Sequence, residues 1–331
     1  MISASSTVGM VLLGASLQAI AGADPLPIID MHLHALAADE QGPPPVVICA
    51  PYDSMPTRAP GASVEEYTQS FLKTANCVHP IWSAKDNDTL REESLAALQR
   101  YNIIAVTSGE PEFVQKWHSA DPKRIIPAIM FGIHDAPAIA SLRAMYKAGM
   151  LKVLGEIVAQ YDGVGPNDSR LEPYWKLAEE LDIPVGIHIG PGPPGATYLG
   201  ITKYRASLSD PLLLEDVLVR HPRLRLYVMH AGWPMIDRII ALLYAHPQVY
   251  VDLAVIDYTQ PRAEFHRYLQ RLVDAGYGKR VMFGSDQMVW PAAIGLAIDG
   301  IQSATFLTQE QKRDILHDNA ARFLRLKEPP G

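Results

Sequence analysis

The chain has 331 residues, which allows two domains but also fits a single α/β barrel. With 48% apolar and 20% charged residues, its composition is that of a folded globular protein and excludes disorder and coiled coil. The net charge of -7 offers no cationic surface to a phosphate backbone, which excludes nucleic acid as a partner.

Val8 to Ala23 is apolar and rich in small residues, and Ala21-Gly22-Ala23 fits the small-x-small pattern of a cleavage site. The run is too short for a comfortable membrane span. No Lys or Arg precedes it, so the terminal amine is the only positive charge there; the competing reading is an N-terminal arm. The expectation is a signal peptide over 1–23 and a single exported domain over 24–331, periplasmic or secreted, with no stable membrane span after processing. Without a signal the protein would be cytoplasmic. Cys49 and Cys77 are the only cysteines, and an exported protein could pair them.

After Pro27 a short apolar run, a polar loop and an amphipathic stretch alternate along the chain. Strands are predicted at Ile28–His34, Asn102–Ser108, Arg124–Phe131, Val153–Val158, Pro184–Ile189, Leu224–His230, Val249–Val255 and Val281–Gly284. They are rich in Ile and Val and not half polar, as parallel strands buried on both faces should be. Helices are predicted at Asp88–Arg100, with Asp88 as N-cap, and at Leu171–Leu181, Asp210–Arg220, Met235–Ala245, Arg262–Ala275 and Gln309–Leu326. Eight such units make a (β/α)8 TIM barrel. A doubly wound sheet would show a Gly-rich loop after its first strand; here that strand ends in His-Leu-His. The segment 35–89 is too long for an ordinary loop and reads as a rim or lid insertion, with a short helix at Val64–Thr74.

Chemistry gathers at one end of these strands. In Asp30-Met31-His32-Leu33-His34, alternation puts His32 and His34 on one face, where two imidazoles can grip one metal. The fourth strand ends near Glu156, the fifth in His188, the sixth in His230, and the eighth leads to Asp286. One His closing an apolar strand is commonly a core residue. Six metal-type groups at the same end of five strands point instead to a metal site at the active end of a barrel.

This set resembles the amidohydrolase superfamily. Gly232-Trp233-Pro234, Phe283-Gly284-Ser285-Asp286 and the tail Asp318-Asn319-Ala320-Ala321-Arg322 resemble its amidohydrolase-related branch, which includes aminocarboxymuconate semialdehyde decarboxylase. The resemblance covers roughly Ile28 to Leu326 and implies that His32, His34, His188 and Asp286 are metal ligands. Glu156 departs from the one-metal decarboxylases of that branch. With His188 and His230 it resembles the two-metal arrangement of TatD-type hydrolases. Phosphotriesterase-type members bridge with a carboxylated Lys, but Lys152 lies four residues before Glu156, roughly 13 Å down the strand.

The ligand set suits zinc first, with manganese or iron(II) compatible, as one or two ions. Such a site lowers the pKa of a bound water toward about 7 and polarises a carbonyl or phosphoryl oxygen. The expected activity is hydrolysis of an ester, lactone, amide or phosphoester in a small molecule, with Asp286 and His230 as catalytic residues. The alternative is a one-metal decarboxylase. Lys203, Arg205, Trp233 and Trp290 are candidate substrate contacts near the mouth; a solvated loop and simple packing compete for them. A homo-oligomer is left open.

Overall fold

The computed structural model describes residues 26–190 and 192–326. The segment 1–23 read as a signal peptide lies outside the described residues. Ten strands form in order: β1 Ile28–Ala35, β2 Val47–Cys49, β3 Pro80–Trp82, β4 Ile103–Gly109, β5 Ile125–Phe131, β6 Val153–Ile157, β7 Val185–His188, β8 Leu226–Met229, β9 Tyr250–Asp252 and β10 Val281–Met282. Eight of them make one all-parallel sheet in the order β1-β4-β5-β6-β7-β8-β9-β10. Main-chain bonds from Met31 N to Phe283 O (2.9 Å) and from Asp286 N to His32 O (2.6 Å) join the two ends of the sheet. The result is the eight-stranded barrel the alternation predicts.

Burial explains why these runs are uniformly apolar. Outer faces pack under the helices, while Ile29, Met31, Val106, Val153, Tyr227 and Met282 fill the interior. The C-terminal helix Asn319–Leu324 plugs the base: Phe323 sits 5.6 Å from the Tyr227 ring and 4.9 Å from that of Tyr250. Burying such a side chain contributes roughly 1.5–3 kcal/mol. Asn319 of the tail motif donates to the carbonyls of Gly278 (2.8 Å) and Val281 (2.7 Å), fixing the entry to β10.

Several predicted boundaries shift. The helix Asn87–Arg100 is capped by Asp86, whose carboxylate accepts from Thr89 N; Asp88 lies inside the first turn and pairs with Arg91 instead. The last helix is broken into Gln309–Arg313, a π turn at Asp314–Asp318, and Asn319–Leu324. β8 stops at Met229, and His230 opens a 3-10 turn, His230–Gly232. Helices at Pro111–Ala120, Ile139–Lys147 and Ala293–Gln302, which the apolar spacing did not single out, complete the βα units.

Between β1 and the helix Asn87–Arg100, β2 and β3 form an antiparallel hairpin and Val64–Leu72 is helical. The segment is tied to loops at the C-terminal ends of the barrel strands. Tyr52 N donates to Thr259 O (2.9 Å), Ala84 N to Val289 O (3.0 Å), Trp290 Nε1 to Val46 O (3.1 Å) and Tyr67 Oη to Pro194 O (3.0 Å). It therefore rests on the rim from the loop after β7 to that after β10. A Cys49–Cys77 disulfide closes its base across 28 residues of chain.

Closing a loop of that length removes about 3.5 kcal/mol of unfolded-state entropy in the chain model. A Cys49→Ser/Cys77→Ser variant should lose stability by up to that amount, and limited proteolysis should cut first within 50–76. Equal denaturation midpoints and equal protease resistance would show that the disulfide constrains nothing.

Candidate metal centre

His32 and His34 are brought together by β1, with their Nε2 atoms 3.2 Å apart. Asp30, on the same face by alternation, does not join them. A register irregularity follows it, and its Oδ1 accepts from the main-chain N of His32 (2.9 Å) and Ser285 (3.0 Å). β6 supplies Glu156, β7 supplies His188, and the turns after β8 and β10 supply His230 and Asp286. All six side chains belong to residues 1–6% exposed, so the cage is nearly dry.

β6 reaches the cage by an unusually close approach. Gly155 has φ +150°, and a Cβ there would fall 2.5–2.9 Å from the main chain of Gly186 in β7. Only glycine lets the two strands pack so tightly, and the next residue, Glu156, is delivered into the centre. His230 (φ 59°) and Asp286 (φ 47°) are both left-handed, a conformation that costs a non-glycine residue on the order of 1 kcal/mol. Each is held there: His230 N donates to Asp252 Oδ1 (2.9 Å), and Asp286 N to His32 O.

Glu156 divides its two oxygens. Oε2 lies 3.5 Å from His32 Nε2 and 3.3 Å from His34 Nε2, while Oε1 faces His188 Nδ1 and lies 3.6 Å from His230 Nε2. Asp286 Oδ1 stands 3.1 Å from His34 Nε2 and 3.8 Å from His32 Nε2. Three overlapping triads result: His32, His34 and Glu156; Glu156, His188 and His230; and His32, His230 and Asp286. Within each, the donor atoms lie within 4.8 Å of one another.

Each imidazole has its far nitrogen occupied. His32 Nδ1 is 3.2 Å from Asp252 Oδ2, His34 Nδ1 is 3.1 Å from Ser108 Oγ, and His230 Nδ1 is 2.9 Å from Ala254 O. His188 turns Nδ1 inward and Nε2 toward Tyr161 Oη, 3.2 Å away. Such outer partners fix the tautomer and aim the other nitrogen at a cation. Imidazole and carboxylate donors in this arrangement fit a divalent transition metal.

Asp252, which orients His32 and holds His230 N, was not among the residues singled out from sequence. Its signal was a lone carboxylate inside the apolar run Tyr250-Val251-Asp252. Lys203 and Arg205 are exposed; Lys203 Nζ bonds His134 Nε2 (3.1 Å) and Arg205 Nη1 bonds the carbonyl of Thr202 (2.9 Å). Between them, Tyr204 is buried and bonds Gly190 O (2.8 Å). Trp290 is buried, anchoring the segment after β1. Trp233 is half-buried with an indole nitrogen that has no partner among the described residues. Lys152 is exposed, away from the cage.

The carboxylates and imidazoles of the cage stabilise one another's charge against burial. Burial opposes the charge on His34, but the hydrogen bonds it donates to Asp286 and Glu156 hold its pKa up to about 9. His32 is raised well above the ordinary range against the same burial by Asp286, Glu156 and Asp252. In turn, Glu156 and Asp286 resist the upward push of burial and are lowered by the imidazoles around them.

A family model described as Amidohydrolase matches residues 29–326. Among solved structures, the chain is similar to a probable 2-pyrone-4,6-dicarboxylic acid hydrolase from Acinetobacter baumannii with citric acid bound. That likeness has a TM-score of 0.56 at 12% identity, over 91% of this chain and 100% of that one. A 4-oxalomesaconate hydratase from Rhodopseudomonas palustris matches with a TM-score of 0.53 at 17% identity, over 90% and 95%. A 5-carboxyvanillate decarboxylase from Novosphingobium aromaticivorans, complexed with manganese and 4-hydroxy-3-methoxy-5-nitrobenzoic acid, matches with a TM-score of 0.51 at 14% identity, over 72% and 80%. At these identities the likeness is one of fold. No curated protein sequence matches the chain significantly.

A histidine raised from 6.5 to about 9 on folding stabilises the protein fully below pH 6.5, and that stability is lost as pH rises through about 9. Chelator-treated protein should therefore lose melting temperature between about pH 7 and pH 9.5, while metal-loaded protein should hold it, since a metal replaces the protons. A chelated protein whose melting temperature stays flat or rises over this window would contradict this mutual stabilisation.

Proposed function

The chain belongs to the amidohydrolase family, and from that premise we propose that it is a metal-dependent hydrolase of small molecules with a two-ion centre. In this reading His32, His34 and Asp286 would hold one ion and His188 and His230 the other, with Glu156 as a ligand available to both. The supporting observation is the split of Glu156, one oxygen toward each histidine pair. When bound, the ions polarise the scissile carbonyl or phosphoryl group and make an attacking water more acidic.

The chain's own residues then move the proton. The Asp286 carboxylate stays ionised beside His32 and His34 despite its burial, so it can accept the proton lost by the attacking water. It returns that proton to the leaving oxygen or nitrogen as the scissile bond breaks. Tyr258 Oη donates to the main-chain oxygen of Asp286 (3.1 Å), which limits the residue's movement between these two tasks. The cage excludes bulk water, and this strengthens every charge interaction within it.

The substrate class is an ester, lactone, amide or phosphoester. Zinc suits the donor set; manganese, present in the decarboxylase structure of similar fold, suits it as well. The second reading is a one-ion decarboxylase. It is favoured by the His32, His230 and Asp286 triad, whose donors would suffice for one ion. The disulfide accords with an oxidising compartment, and among the described residues no helix is long and apolar enough to cross a membrane.

Two substitutions test this assignment, and the first separates the two readings. Glu156→Gln should lose about one metal equivalent by elemental analysis; full retention would remove Glu156 from the ligands and leave the one-ion reading. Asp286→Asn keeps the shape and one oxygen donor but no basic site. On a substrate found by screening esters, lactones and amides, its turnover should fall roughly 10²–10⁴-fold, and the acid limb of the pH–rate profile should move or vanish. Near-normal turnover by the metal-loaded variant would exclude Asp286 as the proton carrier.

A further inference from the structure

Tyr161 lies in the 3-10 turn Ala159–Asp162, five residues beyond Glu156. Its ring centroid is 4.9 Å from that of His188 and 5.5 Å from that of Tyr204. Gly192 approaches from the loop after β7, where a Cβ would come within 3.3 Å of the phenol. Tyr204 is itself tied down, its hydroxyl bonded to Gly190 O and to Ser209 Oγ (3.2 Å). The Tyr161 hydroxyl is thus held in one place at the mouth, 3.2 Å from His188 Nε2.

Counting hydrogens decides what that hydroxyl can do. His188 turns Nδ1 to Glu156 and His230, so as a ligand it keeps its lone pair on Nδ1 and its single hydrogen on Nε2. That N–H can only donate, and the atom facing it is Tyr161 Oη, which must accept. The phenol then has one hydrogen of its own still to place. Among the described residues, Oη has no hydrogen-bond partner besides His188. A phenol is protonated at neutral pH, so an O–H donor stands beside the cage with no acceptor among the described residues.

We propose that Tyr161 donates this hydrogen bond to the substrate oxygen on which negative charge develops, and is a catalytic residue of the centre. The proposal rests on the assignment of His188 as an Nδ1 ligand in the two-ion reading. It extends that reading by giving the centre a preorganised donor for the oxyanion. No proton is transferred: the phenol keeps its hydrogen, and its bond to the oxygen strengthens as the water attacks and relaxes when the leaving group departs. The substrate therefore carries a carbonyl or phosphoryl oxygen that can reach both the cage and the loop after β6.

The test is Tyr161→Phe, which keeps the ring and its packing. At saturating metal its content should equal that of the wild type by elemental analysis, although loss of the partner of His188 Nε2 should weaken metal affinity by roughly 10–100-fold. On a confirmed substrate, kcat should fall roughly 10²–10³-fold, as for loss of one oxyanion donor, with KM changed far less. Methylphosphonate, a non-hydrolysable tetrahedral anion, should bind the metal-loaded wild type in calorimetry and bind the variant about tenfold more weakly or worse. This binding does not depend on hydrolysis, so weaker binding by Tyr161→Phe supports the donor even if no panel substrate is turned over. A fully metallated variant that binds methylphosphonate as tightly as the wild type overturns the proposal. So does a loss of metal matching that of His188→Ala, which would make Tyr161 a support for the histidine alone.

Discussion

Each of the four imidazoles at the barrel mouth can present a nitrogen inward because its other nitrogen is already engaged. Asp252 faces His32, Ser108 faces His34, the carbonyl of Ala254 faces His230, and Tyr161 faces His188. A neutral imidazole has one hydrogen and one lone pair, so fixing one nitrogen fixes the role of the other. The barrel makes this possible by placing the four partners on neighbouring elements: Ser108 on β4, Tyr161 after β6, and Asp252 and Ala254 at the end of β9. Parallel order matters here, since it brings all the C-terminal strand ends to one rim.

The remaining architecture serves the cost of that arrangement. Two carboxylates and four imidazoles in a dry cage would repel or remain unsolvated if left unpaired. Instead they are interleaved, with Glu156 reaching toward all four rings and Asp286 toward the β1 pair. His230 and Asp286 adopt left-handed backbone to reach their places, and main-chain bonds to Asp252 and His32 hold them there. The plug at the base, with Phe323 against Tyr227 and Tyr250, closes the end of the barrel opposite the cage with aromatic packing.

The barrel and the six inward side chains were legible in the sequence, because both leave local signals. Buried parallel strands are uniformly apolar, so a His or Glu ending such a run stands out, and His-x-His puts two rings on one strand face. Signals that depend on tertiary closure were weaker. His230 lies one residue beyond β8 because the turn, and not the strand, carries it inward. Asp252 sits in an apolar run yet acts on β1, 220 residues away in sequence. Trp290 reads as a rim aromatic from sequence, but its indole is spent on Val46 and anchors the segment after β1. Asp88 looked like a cap, while Asp86, two residues earlier, makes the capping bond.

The central claim is that these six side chains hold metal with Glu156 between two ions. Anomalous diffraction from crystals grown with zinc or manganese tests it most directly. Two peaks roughly 3.5–4 Å apart are expected, as in two-ion hydrolytic sites. One should lie beside His32, His34 and Asp286 and the other beside His188 Nδ1 and His230, with one Glu156 oxygen toward each. Crystals that take up no ion at the cage, or that place metal only elsewhere on the protein, would contradict the account.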